Sequence, residues 1–346
     1  MTAQEKYFLF FLGCVDIRFR LSIMKKELYF ERLLMITISP IPPELLPISK
    51  SRAIRLLFLG LRDGDDSVIH FISRTYQRGL LPDDVVRMLD ACRFWNNNQN
   101  IQVGESATVL RFLWWLSQAQ KSNKNFVREG TLLGRKITLD PEMLNWTIKD
   151  LLDPERVPER TSQLASVATL HNPDRYRTFM VSYPHHLAIT YEVLDQWYEY
   201  KRFQQKVPLP APGIDATIEA QAKAFLLALR GGGWQFEMLQ QEDFPFAYIM
   251  TDGDWALREA RKRWPSLAEH ESNRFTEVAK AKSDWAQRRV IDSADHRVIQ
   301  AITMFAMLNR YKVKDIMRVT RHPKAVAKSW PAFYMFLDWV QENGLK

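Results

Sequence analysis

Hydrophobic residues recur at helical spacing from Lys50 onward and place a continuous apolar stripe on one face, formed by Ala53, Leu56, Leu57, Gly60 and Leu61. Ser49 stands directly before this run, where a side-chain oxygen can cap the first turn of a helix. Lys50, Ser51 and Arg55 make the front of the helix polar. The pattern therefore predicts a core-facing helix whose first turn carries two cations and a hydroxyl.

Further along, strand-like and helix-like runs alternate. The run "DSVIHFIS" from Asp66 predicts a strand, and "LPDDVVRMLDACRFW" from Leu81 predicts an amphipathic helix with acidic residues in its first turn. The run "NIQVGESATVLRFLWWLSQ" from Asn100 predicts a short strand, a glycine turn and a helix. Similar alternation continues from Thr161, Arg177 and Ile214. An α/β protein assembled from recurring strand and helix units is expected, rather than a helical bundle.

The remaining segments suggest where units begin and end. "MITISPIPPELLPISKS" from Met35 reads as a strand, a proline-rich turn and the start of the first helix. Residues 1–34 before it are either an appended extension or an extra helix packed on the domain. "QKVPLPAPG", from Gln205 to Gly213, contains three prolines and is the best candidate for a linker between domains. "RGGGW" from Arg230 follows a helix and predicts a C-terminal cap and turn.

Composition limits the classes of function. The chain has 346 residues, of which 46% are hydrophobic, which is enough for a large core and two domains. Its net charge of +8 suits either nucleic acid or highly anionic small molecules. With only Cys14 and Cys92, no disulfide framework or cysteine metal site is expected, which suits a reducing cytoplasm. The apolar run "KYFLFFLGCV" is too short to span a bilayer. A cytoplasmic protein without membrane association is therefore expected.

Common nucleotide and zinc fingerprints are absent: the chain has no GxxxxGK[ST], no GxGxxG after a strand and no HExxH. Instead, several predicted helices begin with hydroxyl, amide or cationic side chains. Capping explains each of these starts by itself. Together they suggest helix N-termini that converge on anionic ligands. The starts carry Lys50, Ser51 and Arg55; Thr108 and Arg111; Thr161, Ser162 and Gln163; and Asp295, His296 and Arg297.

Seven segments, in order along the chain, resemble the successive signatures of the enolpyruvyl transferase family, in particular its 5-enolpyruvylshikimate-3-phosphate synthases. No single segment is decisive, because a pattern such as K-S-x-x-x-R occurs by chance in many proteins. The order of all seven, from residue 49 to residue 333, is hard to attribute to chance. The segments are "SKSRAIR", "GESATVLR", "TSQLASVA", "VSYPHHLAIT", "HESNRFTEVA", "ADHRVIQAI" and "HPKAVAKSWPAF".

The resemblance implies a reaction that needs neither a metal nor an organic cofactor. The 5-hydroxyl of shikimate 3-phosphate attacks C2 of phosphoenolpyruvate while C3 is protonated, and the tetrahedral intermediate then expels phosphate. Two phosphates and two carboxylates must be bound together, a task suited to arginine, lysine and helix N–H groups. The implied partners are these two small anions, with no nucleic acid and no membrane.

Roles follow from the resemblance for residues that match the family motifs. Lys50 matches a lysine that touches both substrates and transfers protons, Glu271 matches an acid/base glutamate, and Asp215 is the best match for the catalytic aspartate. Asp215 lies in "GIDATIEAQ", which could equally match a non-catalytic strand of the family. The implied shikimate 3-phosphate ligands are Ser51, Arg55, Thr161, Ser162, Gln163 and Ser182. The implied phosphoenolpyruvate ligands are Lys50, Thr108, Arg111, Gln163, Arg274, Arg297 and Lys328.

The resemblance also implies an architecture. Two α/β domains of repeated strand-helix units, each an inside-out α/β barrel with helices inside and sheets outside, are expected around a substrate cleft. Residues 35–50 and 206–346 would form one domain, and residues 51–205 the second. The chain from Met35 is shorter than a typical member, so one unit is expected to be lost, and another subunit could cover the open edge. The sequence does not set the oligomeric state.

Several positions depart from the family pattern, mostly in the phosphoenolpyruvate half of the site. Thr131 stands where an arginine normally binds phosphoenolpyruvate, although Arg135 keeps the second arginine of that motif and Arg128 lies three residues before Thr131. The other departures are Glu105 for asparagine, Ala107 for glycine, His185 for tyrosine, His270 for lysine and Asn273 for aspartate. His270 would carry a charge that depends on pH.

These departures leave alternatives to a working synthase. The chain could transfer the enolpyruvyl group to another anionic acceptor, or be a catalytically inactive relative that only binds ligands. A different class, nucleic-acid binding, is suggested by "RYKVKDIMRVTRHPKAVAK", which has seven Lys or Arg residues against one Asp. Such a run more often forms a solvated face, and its last residue, Lys328, already has a role by resemblance.

Overall fold

The computed structural model describes residues 40–159, 161–176, 184–203, 206–230, 244–250 and 272–343, together with Arg258 and Lys262. These residues form a mixed α/β structure that is mostly helical. The predicted strand at Met35, the extension 1–34 and the glycine turn 231–233 lie outside the described residues.

Helix α1 (Lys50–Asp63) begins and ends as its sequence dictates. Ser49 caps it by accepting a hydrogen bond from the Arg52 N–H at 3.4 Å, and Gly64 ends it with a left-handed φ of 64° that glycine tolerates. The predicted stripe is buried from Ala53 through Gly60. The helix contacts α2 (Ser67–Thr75), α3 (Asp83–Phe94), α6 (Gln163–His171) and α8 (Pro184–Arg202).

The strand predicted from Asp66 is wrong, because residues 67–75 form helix α2. Its buried residues are Val68, Ile69 and Ile72, whose spacing matches one face of a helix. The run is too short to separate the two periodicities by sequence alone. Packing against α1 and α3 decides in favour of the helix.

The prediction for residues 100–119 is confirmed. Strand β1 (Asn100–Gly104) buries Ile101 and Val103 and exposes alternate residues, and α4 (Ala107–Ala119) follows. Strand β2 (Asn125–Arg128), which no pattern predicted, pairs parallel to β1. This two-stranded sheet is the only sheet among the described residues. The predicted succession of further strands is therefore not found there, and the segment after Thr161 folds as helix α6.

The other helices and 3₁₀ turns complete two groups. Around α6 lie α5 (Ile148–Leu152), α7 (Pro173–Tyr176) and α8, and every residue of α6 from Leu164 to Leu170 is buried. The second group surrounds α12 (His296–Leu308) and contains α9 (Ala216–Leu229), α10 (Phe244–Met250), α11 (Ser272–Arg288), α13 (Val313–Val319) and α14 (Phe333–Asn343). In the described part of the chain the 3₁₀ turns are Pro43–Leu45, Arg78–Leu80, Gly130–Leu132, Pro141–Asn145 and Pro323–Lys328.

Among the described residues, the buried hydrophobic side chains form two clusters. The first runs from Ile48 to Trp197, and the second combines Leu45 and Leu46 with residues between Ile218 and Val340. The chain thus leaves the second cluster after Leu46 and returns to it by Ile218, after the proline-containing segment 206–215. The predicted domain boundaries at residues 50 and 206 stay a prediction. Within the described residues, no helix is both long and apolar enough to cross a membrane.

Candidate functional site

The two segments that connect the clusters lie side by side. Ile48 and Ile214 form an isolated antiparallel bridge, the Ser49 N–H donates to the Gly213 carbonyl and the Asp215 N–H donates to the Pro47 carbonyl, both at 2.9 Å. This pairing places the beginning of α1 beside the beginning of α9. Asp215 caps α9 by accepting a hydrogen bond from the Ile218 N–H at 3.1 Å. The segment after Asp215 is thus a helix.

A cavity of about 620 Å³ lies between the clusters at these helix starts. The N-terminus of α12 joins it, capped by Asp295, which accepts from the Arg297 N–H at 2.8 Å. Residues from two of the seven segments, and Asp215 from a further stretch, therefore line one cavity. They are Lys50, Ser51, Asp215, His296 and Arg297. Three helix N-termini with cations beside them make an environment suited to an anion.

Burial and charge act on two titratable groups of the cavity. Burial raises the pKa of the Asp215 carboxyl, although its bond from Ile218 and the charges of Lys50 and Arg297 act against this. Burial, helped by the positive charges of Arg297, Lys50 and Lys328, lowers the pKa of His296 to about 3, against the effect of Asp295. Near neutral pH, His296 is therefore an uncharged hydrogen-bonding group.

The lowered pKa of His296 predicts a loss of stability in acid. Above pH 6.5 neither state carries a proton on this imidazole, whereas between about pH 6.5 and pH 3 only the unfolded state does, so stability falls as pH falls. Between pH 7 and pH 5, the free energy of unfolding of the His296→Gln variant should fall by about 1–2 kcal/mol less than that of the wild type. Urea unfolding at both pH values measures this difference. His322→Gln, at an exposed histidine, is the control, and equal losses in wild type and His296→Gln would contradict the prediction.

Lys50 has a buried partner that the sequence reading missed. Its Nζ lies 3.0 Å from Oδ2 of Asp84 in the first turn of α3. Asp84 is 4% exposed, and its other oxygen, Oδ1, is buried with no hydrogen-bond partner. In the sequence Asp84 is an ordinary acidic residue in the first turn of a helix, so its pairing with Lys50 carries no local signal.

Arg55 is a buried cation that contacts Ser51 but does not itself line the cavity. Its Nε donates to Thr190 Oγ1 at 3.0 Å, and Nη1 donates to the carbonyl and the hydroxyl of Ser51. Thr190 in turn bonds Ser166 at 2.6 Å. Burial lowers the pKa of Arg55 to about 10. Among the described residues no carboxylate pairs with Arg55, so a buried positive charge lies beside Ser51 on the cavity wall.

Four other predicted ligands form a second network that does not line the cavity. Gln163 donates to Thr108 Oγ1 at 2.8 Å and accepts from Arg111 Nη1 at 2.7 Å. The Gln163 N–H donates to Thr161 Oγ1 at 3.2 Å. Arg111 is 5% exposed and also lies 3.7 Å from Glu159, which the sequence reading did not single out. Ser162 precedes α6 without a side-chain capping bond. Burial lowers the pKa of Arg111, against the effect of Glu159.

Lys328 connects the two clusters near the cavity. Its Nζ lies 3.7 Å from Glu105 Oε2, and Thr131 Oγ1 donates to the same oxygen at 3.0 Å. Two of the departures from the family pattern, Glu105 and Thr131, are therefore in contact with each other. Ser329, next to Lys328, lines the cavity and accepts from Gln300 Nε2 at 3.1 Å.

Some predicted residues cannot be located in the site. Glu271, His270 and Ser182 lie outside the described residues, and Arg274 lies in α11 at a position where only the backbone is described. Cavity residues that the sequence reading missed include Arg52, Glu192 and Gln300. Arg52 donates to Glu192 and, at 2.8 Å, to Gln196 Oε1. Within the described part of the chain, no three His, Cys, Asp or Glu residues cluster as metal ligands.

Comparisons with protein-family models, with curated proteins and with solved structures gave no match to this chain.

Proposed function

We propose that the protein transfers the enolpyruvyl group of phosphoenolpyruvate to the 5-hydroxyl of shikimate 3-phosphate and releases phosphate. One observation carries the proposal: three separate stretches of the chain that resemble the family line one cavity, through Lys50 and Ser51, through Asp215, and through His296 and Arg297. A substrate site requires residues from distant parts of the chain to come together. Capping of separate helices does not require that their first turns lie close to each other.

The chemistry of the cavity agrees with this reaction. Lys50, Arg297 and the neighbouring Lys328 and Arg55 supply positive charge for phosphate and carboxylate groups. Burial favours the protonated form of Asp215, and a protonated carboxyl can give a proton to C3 of phosphoenolpyruvate. The carboxylate then left on Asp215 can take up the proton of the 5-hydroxyl. The Lys50 ammonium, held by Asp84, can protonate the leaving phosphate, and its free amine can take the proton that C3 loses in the same elimination.

We also propose the corresponding two-domain, enolpyruvyl-transferase-like fold of repeated strand-helix units, with one unit lost. Its support is the division of the described core into two clusters with the cavity between them. The helix N-termini of α1, α9 and α12 line that cavity, as the proposed arrangement requires.

A second candidate, a ligand-binding relative without this activity, is favoured by a specific observation. Three cations assigned to phosphoenolpyruvate, Lys50, Arg111 and Lys328, each lie within 4 Å of a carboxylate of the protein itself. A negative side chain beside each cation opposes the binding of a doubly charged donor. Transfer to a different anionic acceptor stays open for the same reason.

Calorimetry followed by an assay separates these functions. Shikimate 3-phosphate is titrated into the protein, and phosphate release from phosphoenolpyruvate is then measured with and without it. The proposal expects saturable binding and phosphate release that needs both ligands. Binding without release would favour the non-catalytic relative, and release without shikimate 3-phosphate would contradict the proposed acceptor. Phosphoenolpyruvate incubated without protein is the background.

A further inference from the structure

The carboxylates that face the cations of the site differ in how firmly they are fixed. Asp84 has a side chain that is 6% exposed, and Glu159, 19% exposed, accepts hydrogen bonds from the backbone and the hydroxyl of Thr138. Glu105 has a side chain that is 42% exposed. Of the three, Glu105 is therefore the carboxylate that can turn into solvent at the lowest cost.

Three neighbouring residues nevertheless fix the position of the Glu105 side chain. Its side chain lies over Gly130, whose φ is +49°, and a Cβ at residue 130 would come within 1.9 Å of Glu105 Oε1. The absence of a side chain at Gly130 thus leaves room for the carboxylate. The Thr131 hydroxyl, 3.0 Å from Oε2, and Lys328 Nζ, 3.7 Å from it, provide the two polar contacts.

These contacts have a consequence for any anion that approaches Lys328. Glu105 belongs to the turn between β1 and α4 in the first cluster, while Lys328 ends the turn Pro323–Lys328 beside the second. The positive charges of Lys328, Lys50 and Arg297 all act on His296, so these cations share one electrostatic environment. A carboxylate at Glu105 opposes the charge of Lys328 and repels an incoming anion.

We propose that Glu105 is a specificity-determining residue. Its carboxylate pairs with the Lys328 ammonium in the absence of ligand, and the phosphate group of a phosphorylated ligand must displace it. This inference rests on the proposed function, because it takes the cations of the cleft to be anion ligands. Glu105 lowers the affinity of the site for phosphate-bearing donors and lowers it more as the charge of the donor increases. Ligands with a neutral group at this position avoid the competition.

The experiment measures binding and does not depend on turnover. Inorganic phosphate is titrated calorimetrically into the wild type and into Glu105→Gln, which keeps the acceptor for Thr131 and removes the charge. The variant is expected to bind phosphate about fivefold more tightly, the upper end for one exposed ion pair. The same measurement with phosphoenolpyruvate should give at least as large a gain.

Two controls make the result specific. Asp315→Asn removes one negative charge, as Glu105→Gln does. Asp315 pairs with Arg318 at 3.7 Å, the same distance as in the pair of Glu105 and Lys328, but it lies on α13 and does not line the cavity. Its substitution should leave phosphate affinity unchanged. Lys328→Met is combined with Glu105→Gln in a double-mutant cycle, and the gain should disappear when Lys328 is absent. Thermal unfolding of each variant checks that it is folded.

Each outcome decides the inference. A gain that Asp315→Asn does not share and that needs Lys328 supports it. Equal or weaker phosphate binding by Glu105→Gln, a gain that persists without Lys328, or no phosphate binding by any folded variant would overturn it. The proposed function fails separately, if the wild type releases no phosphate from phosphoenolpyruvate with shikimate 3-phosphate. A gain in phosphate affinity without turnover would therefore keep Glu105 as a selectivity residue of a non-catalytic site.

Discussion

Lys50→Met is expected to lower phosphate release from phosphoenolpyruvate by about a thousandfold, the effect typical of losing a group that transfers protons. Lys50 lies on the cavity wall at the first turn of α1, and its ammonium is fixed by Asp84 at 3.0 Å. Methionine keeps an unbranched apolar side chain, one atom shorter than that of lysine, while removing the charge and the exchangeable protons. Steady-state phosphate release measures the loss.

Loss of Lys50 also leaves a carboxylate without its partner, and this effect must be separated from catalysis. Asp84 is 4% exposed, and a buried carboxylate without its partner should lower the free energy of unfolding by about 1–3 kcal/mol. Replacing the partner as well, in Lys50→Met with Asp84→Asn, removes the unpaired charge. The double variant should regain most of the stability in urea unfolding and none of the phosphate release.

Lys223→Met is the control for the change in charge and volume. Lys223 forms a partly exposed pair with Glu219 at 2.7 Å on α9 and does not line the cavity, so its replacement should leave phosphate release unchanged. Should the double variant recover activity together with stability, Lys50 would be a structural partner of Asp84 and its assignment as a catalytic residue would be wrong.

Local features of the fold could be predicted because their causes are local. Ser49 before the apolar stripe of α1, and the alternating residues of β1 before Gly104, are short-range patterns that packing did not override. The strand predicted from Asp66 failed because Val68 and Ile72 satisfy both a strand and a helix within eight residues. Strand β2 could not be foreseen, since it forms only by pairing with β1 and has a mixed polar and apolar sequence.

The carboxylates that pair with the cations of the site could not be predicted from the sequence, for a different reason. Cations and hydroxyls at helix starts are visible as a class, because a helix N-terminus has a known preference for anions. The acidic partners Asp84, Glu105 and Glu159 come from other elements, and each pairing depends on how those elements pack. A sequence can therefore indicate that a site is cationic, but it does not show how much of the positive charge is neutralised by carboxylates from other elements.

Trp330→Ala should be the most destabilising single change in the second cluster, with a loss of about 3–5 kcal/mol in the free energy of unfolding. Trp330 is 0% exposed, and its ring centroid lies 4.8 Å from that of Phe336 and 5.2 Å from that of Phe333. Its indole Nε1 donates to the Leu45 carbonyl at 2.7 Å. The substitution thus opens a large cavity and removes the hydrogen bond between Trp330 and the turn Pro43–Leu45.

Trp330→Phe separates the two contributions, because it keeps an aromatic ring and leaves the Leu45 carbonyl without its donor, at a cost of about 1–3 kcal/mol. Trp339→Ala removes an indole that is only partly buried and should cost less than Trp330→Ala. Urea unfolding followed by circular dichroism measures all three.

The same unfolding curves test whether the two clusters unfold together. If they unfold separately, Trp330→Ala should shift one transition and leave the other in place. A shift of both transitions would mean that the paired segments at Ile48 and Ile214 couple the clusters into one cooperative unit. A loss below about 1 kcal/mol for Trp330→Ala would contradict the burial on which this prediction depends.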